Sequence, residues 1–432
     1  MKAEQRKATR KLDEGAMERA LLGKVNGLVA ELCKTRKTIN LMEVCGTHTM
    51  AISGFGIRRA VDPRLRLLSG PGCPVCVTAQ EEIDAAIDIA RGGLGHNSAK
   101  TGTVPRSART RGTVPVFESC PAPGPAVVTF GDMMRVPGTL TSLEREKAKG
   151  ADVRVVYSAL DALRLAEEAP DRQFVFLGVG FETTAPTVAA TVLAAQESKV
   201  SNFFVLPMFK TIPPALEAIA SSDRVNVDGF ILPGHVSTII GTRPYEFLRD
   251  KYHLPSCVVG FEALDVLQGI YMLLRRMHDD LGENRDSPRP RGRGRNPVQS
   301  LFSGHDQRPK VENQYMRSVK PEGNAKARQV MDTVFEPCDA VWRGIGAIPG
   351  SGLAFRKDYA AFDARSRFHV RNRQSSIVNR KSGCRCGDVM LGVIVPPECK
   401  LFAKACTPES PVGPCMVSTE GACAAYYKYE RA

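Results

Sequence analysis

Four groups of side chains in this sequence have the types and spacing to do chemistry. Cys73-Pro-Val-Cys76 is a CxxC preceded by the turn residues Gly70-Pro-Gly72 and followed by a helical pattern from Thr78 to Ala90. Two thiols at that spacing can close a small ring, and a helix N-terminus lowers the pKa of the first thiol, which favours a reversible disulfide. Half a zinc site or two inert thiols are the alternatives. Cys45-Gly-Thr-His48 joins a thiol to an imidazole, a pair suited to iron, zinc or copper or to an activated nucleophile. Six of the thirteen cysteines fall in the last fifty residues, and Cys384-x14-Cys399-x6-Cys406-x16-Cys423 supplies four thiolates. Four thiolates suffice for a cubane iron–sulfur cluster or a tetrahedral zinc, and spacing alone does not choose between them. Glu182 in Gly180-Phe-Glu-Thr-Thr-Ala-Pro186 and His235 in Pro233-Gly-His-Val-Ser-Thr238 are further polar groups on small-residue turns.

These loops share a position in the pattern. Apolar runs of strand length occur at 39–44, 65–68, 126–130, 153–157, 174–178, 203–206, 229–232 and 257–259, with helical patterns at 81–90, 159–168, 185–196, 214–220 and 263–276. Strand, loop and helix in repeated order predict right-handed βαβ units and parallel sheets. In such sheets ligands bind beyond the carboxyl ends of the strands. The Cys45, Cys73, Asp132, Glu182 and His235 loops all leave such ends, so a shared cleft is expected.

The fold class predicted is α/β, with two parallel-sheet lobes facing a cleft and a mostly helical or irregular C-terminal region. The first lobe is assigned to 1–150, with Thr141–Gly150 as the junction, and the second to 151–284. An Arg/Pro/Gly-rich insertion follows at 285–310, and the cysteine-rich region at 311–432. Residues 96–125 and 365–381 read as two more insertions, the first carrying the repeat Gly102-Thr-Val-Pro and Gly112-Thr-Val-Pro.

Composition narrows the class. The 432 residues are 43% hydrophobic and 24% charged, ordinary for globular protein. No apolar run approaches the length of a membrane span, and the polar start lacks the apolar core of a secretion signal. A soluble, cytosolic protein is expected, so the cysteines are read as metal-binding or redox groups rather than a disulfide framework. The net charge of +13 suggests nucleic acid, but 96–125, 285–310 and 365–381 carry +3, +5 and +6. The rest is near neutral, and aromatics for base stacking are scarce in those stretches. Neither a nucleic-acid nor a membrane partner is expected. Cys33 and Cys257 read as packing residues, Cys120 as part of an insertion, and His96, His253, His278, His305 and His369 as solvated. Phosphate-loop and dinucleotide fingerprints are absent.

Taken together, Glu43-Val-Cys45-Gly-Thr-His48-Thr, Gly70-Pro-Gly-Cys73-Pro-Val-Cys76, Thr129-Phe-Gly-Asp132-Met-Met-Arg135-Val-Pro-Gly, Gly180-Phe-Glu182-Thr-Thr-Ala-Pro and Pro233-Gly-His235-Val-Ser-Thr closely resemble the HypD family of hydrogenase maturation factors. So does the stretch from Cys399-Lys-Leu-Phe to Gly421-Ala-Cys423-Ala-Ala-Tyr-Tyr. The resemblance covers nearly the whole chain outside the three insertions.

It implies a scaffold on which the Fe(CN)2CO group of [NiFe]-hydrogenases is assembled with the chaperone HypC. Cyanide would come from HypE, supplied by HypF, and the product would pass to the hydrogenase large subunit. By resemblance Cys45 holds the iron with His48 close by, Cys73 and Cys76 form the redox dithiol, and Cys384, Cys399, Cys406 and Cys423 hold a [4Fe-4S] cluster. Cys386 and Cys415 are left as neighbours without a ligand role. Cyanide and carbon monoxide bind low-spin Fe(II), which suits a soft thiolate and a shielded, reducing site. The protein is then a redox-active assembly scaffold rather than a conventional turnover enzyme. A stand-alone CxxC thiol–disulfide oxidoreductase with a structural metal is the competing reading; it leaves Cys45-Gly-Thr-His48 without a role.

Overall fold

The eight apolar runs become parallel strands, and most of them are covered on both faces. Phe174–Gly178, for example, is buried along its whole length, as strands flanked by helices on both sides must be. The run at 153–155 lies at a sheet edge, with Val155 exposed. The computed structural model describes residues 2–92, 124–283, 308–370 and 383–431. Cys120, His96, His305, the Gly-Thr-Val-Pro repeat and most of the three basic stretches lie outside the described residues.

The strands are β1 (Ile39–Glu43), β2 (Leu65–Ser69), β3 (Ala126–Thr129), β4 (Val153–Val155), β5 (Phe174–Gly178), β6 (Phe203–Pro207), β7 (Gly229–Pro233), β8 (Ser256–Val259), β9 (Glu312–Asn313), β10 (Phe335–Trp342) and β11 (Gly346–Phe355). Two parallel sheets result, one ordered β2-β1-β7-β8-β9 and the other β4-β3-β5-β6. The architecture is α/β with two parallel sheets, as the alternation predicts.

The division at residue 150 is not where the sheets part. β3 before the Thr141–Gly150 run pairs with β4 after it and with β5. β7, from the segment assigned to a second lobe, pairs with β1, and β9 joins the same sheet by pairing with β8. The chain leaves the first sheet after β2, builds the second, and returns. Thr141–Gly150 contains a short helix, Leu143–Ala148, that connects the adjacent strands β3 and β4 and packs on β4 and on the helix Gln80–Ala90. One apolar core runs through both sheets, from Met42 and Leu68 to Leu177, Leu206 and Leu232, and includes Cys73, Cys76, Cys386 and Cys415.

Two further expectations change. The C-terminal region holds an antiparallel hairpin, β10–β11. Its first strand alternates between exposed and partly covered positions and ends in the fully buried Trp342. Trp342 is pinned by Nε1 donating to Ser351 Oγ at 2.8 Å, and it stacks with Phe181. The start of the 365–381 stretch is also not a loose insertion. Arg365 donates to Glu82 and to the Pro207 carbonyl, and Phe368 packs edge-on against Phe204. At the end of the 285–310 stretch, Lys310 pairs with Asp250. Among the described residues no helix is long and apolar enough to cross a membrane.

Candidate metal and dithiol site

The Cys45 loop begins where β1 ends. Cys45 adopts an extended backbone and precedes the helix Gly46–Gly54, and only 8% of it is exposed. Its N–H donates to Glu43 Oε2 at 3.0 Å, while Thr49 Oγ1 donates to the other Glu43 oxygen at 2.5 Å. Glu43 is fully buried, and burial pushes its carboxyl up to about 7. Burial also pushes the Cys45 thiol up to about 12, with Glu420 and Glu43 adding to it against the N–H groups of His48 and Thr47. The thiol is therefore neutral unless a cation comes to it.

His48 is fully buried in the same helix. Its Nε2 lies 2.9 Å from the Gly260 carbonyl and 3.2 Å from the Val259 carbonyl, and two acceptors fix the proton on that nitrogen. Nδ1 is buried without a hydrogen-bond partner among the described residues, so its lone pair is free. Burial lowers the imidazole to about 4, which keeps it neutral. Its ring stacks on Phe261 at 4.8 Å, and the exposed His235 stacks on that ring at 3.9 Å.

The CxxC loop lies directly on the Cys45 loop. Gly46 N–H donates to the Gly72 carbonyl at 2.9 Å, and Gly70 N–H donates to the Glu43 carbonyl at 2.7 Å. A side chain on Gly72 would run into the backbone N and Cα of Cys45. Cys73 and Cys76 form a disulfide, and the Cys76 N–H points at Cys73 Sγ at 3.2 Å. The expected continuous helix from the CxxC is two pieces. Pro74–Val77 is a single turn, Thr78 is extended, and the longer helix starts at Gln80. The helix dipole acting on Cys73 is accordingly only that of one turn.

From the second sheet comes Glu182, fully buried, with Oε1 accepting from Ile212 N–H at 2.9 Å and Oε2 unpartnered among the described residues. Burial pushes it up to about 7. Tyr245, also fully buried, feels the charges of both Glu182 and Cys45, after the larger effect of burial itself. Tyr245 thus lies near both Glu182 of the second sheet and Cys45 of the first, the CxxC loop lies on the Cys45 loop, and His235 joins His48 through Phe261.

The C-terminal cysteines form a second group. The Cys384, Cys386 and Cys415 thiols lie side by side, each within reach of the next. Val412 N–H points at Cys406 Sγ at 3.3 Å. Burial raises the Cys423 thiol well above its ordinary value, and Cys386, Cys384, Cys406 and Cys399 add to that by their charges. Cys386 and Cys415, expected only as neighbours, are members of the group. Loops from both sheets hold it: Asp132 accepts from Ser418 Oγ at 3.0 Å, Arg135 donates to the Pro408 carbonyl, and Thr47 donates to Glu420 at 3.0 Å. Among the described residues no three His, Cys, Asp or Glu side chains converge closely enough to hold a metal ion. The donor set fits a thiolate-bound centre in its chemistry: clustered buried thiols oppose one another's ionisation, and a bound cation would relieve that opposition. Cys33 is half-buried at the end of the first helix and Cys257 is fully buried in β8, as packing residues are.

Comparison with known proteins identifies the family. The family described as "HypD: Hydrogenase formation hypA family" matches residues 20–96, 115–285 and 298–430. The match omits 97–114 and 286–297, inside two of the three stretches read as insertions, and runs through the third. The hydrogenase maturation factor HypD2 of Bradyrhizobium diazoefficiens is 38% identical over 427 residues, covering 97% of this chain and 96% of that protein. A putative hydrogenase expression/formation protein of Methanocaldococcus jannaschii is 37% identical, covering 96% and 98%. The hydrogenase maturation factor HypD of Escherichia coli is 39% identical, covering 91% and 90%. With the family match spanning most of the chain and relatives at 37–39% identity over nearly their whole length, the chain belongs to the HypD family of hydrogenase maturation factors.

Proposed function

We propose that this protein is an iron-binding redox scaffold in [NiFe]-hydrogenase maturation, on which the Fe(CN)2CO group is assembled as cargo. The observation that supports this most is the contact between the Cys45 and CxxC loops, made backbone to backbone through Gly46 and Gly72. The Cys45 thiol then lies beside a disulfide that can take up an electron pair and, once reduced to two thiols, give it back.

Each residue then has a task. Cys45 gives up its proton when the cargo iron arrives, since the metal replaces the proton as the thiolate's partner. His48 presents its Nδ1 lone pair on the same helix, as a further ligand or as an acceptor for a group on the iron. Opening the Cys73–Cys76 bond takes up two electrons and two protons and gives two thiols; closing it returns them. Glu43 and Glu182, buried with raised pKa values, can hold protons near neutral pH. Cys384, Cys399, Cys406 and Cys423 are the four that would hold a [4Fe-4S] cluster, which supplies single-electron transfer when bound.

HypC is the proposed chaperone partner, with HypE, and HypF behind it, as the cyanide source and the hydrogenase large subunit as the recipient. Such a complex works in the cytoplasm. The competing oxidoreductase reading requires attack on a CxxC sulfur by a foreign thiol. Cys73 is 5% exposed and Cys76 1%, which leaves little room for that attack.

The test is infrared spectroscopy of the protein purified with HypC. Cyanide and carbon monoxide bands are expected in the wild type and absent in Cys45→Ala. Undiminished bands in that variant would place the iron elsewhere.

A further inference from the structure

Arg343 stands at the turn of the β10–β11 hairpin, and the turn is wedged between the two sulfur sites. On one side, Arg343 N–H donates to the Val77 carbonyl at 2.8 Å, on the single-turn helix that follows Cys73. Trp342, one residue earlier, forms a β-bridge with Thr78. The Arg343 side chain continues this contact, with Nη2 donating to Gln80 Oε1 and to the Pro137 carbonyl. On the other side, Gly344 lies against Gly387, the residue after Cys386. A Cβ on Gly387 would stand 2.6 Å from the Gly344 carbonyl oxygen, so neither position has room for a side chain. The second guanidinium nitrogen, Nη1, is buried and has no hydrogen-bond partner among the described residues.

A guanidinium keeps its charge at any pH the protein meets, and its field is strong where water is excluded. The packing brings this charge to the cysteine group: Arg343 directly precedes Gly344, which lies against Gly387 beside Cys386, and its Nη1 is buried there. A fixed cation beside a redox centre favours the state with one more negative charge, and charge and hydrogen bonding near the sulfurs are what set such potentials.

We propose that Arg343 is a positioning residue that locks the C-terminal cysteine group onto the CxxC helix and, by its charge, raises the reduction potential of the centre those cysteines hold. The inference rests on the iron–sulfur reading above and deepens it. It gives the hairpin, which carries none of the cysteines of either site, a task in electron transfer between them.

The test is a redox titration of the full-length protein, purified without oxygen, followed by absorbance and electron paramagnetic resonance. Wild type, Arg343→Gln and Arg343→Lys are compared after iron and sulfide analysis. Arg343→Gln is expected to make the centre harder to reduce by roughly tenfold in the equilibrium constant, about 59 mV for a one-electron couple. Arg343→Lys, which keeps the charge with fewer donors, is expected to stay near the wild-type midpoint. Equal midpoints in all three proteins at full iron content would overturn the proposal and leave the iron–sulfur reading standing. So would a shift in Arg343→Lys as large as in Arg343→Gln, or loss of iron from both variants, because Arg343 would then be structural only. If Arg343→Gln alone loses its iron, a wild-type midpoint in Arg343→Lys supports the charge and a shifted one overturns it. Wild-type protein without iron and sulfide would overturn the iron–sulfur reading, and this proposal with it.

Discussion

The backbone of Cys45 fills the space in which a side chain on Gly72 would stand. Two loops from neighbouring strands are thereby pressed together at the point where one carries a lone thiol and the other a disulfide. Gly72→Ala should therefore act on both. Its Cβ meets backbone atoms, which cannot rotate away, and an insertion of this kind costs about 1–3 kcal/mol. Denaturant unfolding should show that loss, and the infrared bands of the iron cargo should weaken with it. A variant of wild-type stability would mean that the loops separate without cost.

Lys210 is an interior cation. It is 1% exposed and donates to both Glu82 oxygens, at 3.0 and 2.9 Å, while Arg365 shares the same carboxylate. The three residues tie the helix Gln80–Ala90 to the end of β6 and to the segment after Asp363. Lys210→Met removes one partner of a largely buried pair, for which a loss of about 3 kcal/mol is expected. Thermal or urea unfolding measures it. A change under ~1 kcal/mol would show that Arg365 alone satisfies Glu82.

Stability should also depend on pH through Glu182. Its carboxyl titrates near 7 in the folded protein and near 4.5 in its ordinary state. Between those values the folded protein holds a proton that the unfolded chain has released, so unfolding becomes easier as pH rises. The contribution is fully present below pH 4.5 and is lost through pH 7, on the order of 3 kcal/mol at most. Glu43 acts in the same direction. Glu182→Gln keeps an acceptor for Ile212 N–H and has nothing to titrate. Unfolding measured at pH 5 and pH 8 should differ less in that variant than in wild type; an unchanged difference would assign the dependence to other groups.

Loss of one cluster thiol should be severe and local. Cys406→Ala is expected to empty the C-terminal centre of iron and sulfide while leaving the Cys73–Cys76 pair able to cycle. Cys415→Ala asks a different question, because Cys415 lies beside Cys386 inside the same group. Full iron in Cys415→Ala fits the four-ligand set; full iron in Cys406→Ala would show that Cys386 or Cys415 takes its place.

What could be read in the sequence follows from how local each feature is. β5 was legible because Phe174–Gly178 is an unbroken apolar run between turns, and its burial on both faces needs no other information. The helix 159–168 was legible for a similar reason: Ser158 and Asp161 cap it reciprocally. Features made by distant contacts were not. Thr78 breaks the helix after the CxxC and bridges to Trp342, 264 residues away in the chain. β10 carries Glu336, Pro337 and Asp339 on a partly exposed ribbon, so its composition reads as loop. The sheet boundary was hidden because β7 returns to pair with β1, and no composition shift marks that return. In the site, spacing revealed the cysteines and Cys45-Gly-Thr-His48, but Glu43, Tyr245 and Arg343 had no local signal. Their importance comes from what packs on them.

If Cys73 and Cys76 store an electron pair beside the iron, either Cys→Ser change should stop maturation without unfolding the protein. The loop they close is very short, so opening it frees little of the unfolded chain. The substituted hydroxyl is small, and the stability loss should be ~1–2 kcal/mol. The electron store, in contrast, needs both sulfurs. A zinc half-site would respond differently, because losing one ligand releases metal and an oxidant would not reversibly block alkylation of the pair. Thiol counting with and without oxidant, alongside hydrogenase activity in a complemented strain, separates the two. Reversible blocking in wild type with no activity from Cys76→Ser is the expected result. Wild-type hydrogenase activity from Cys76→Ser would end the redox role, since one sulfur cannot close a disulfide with itself.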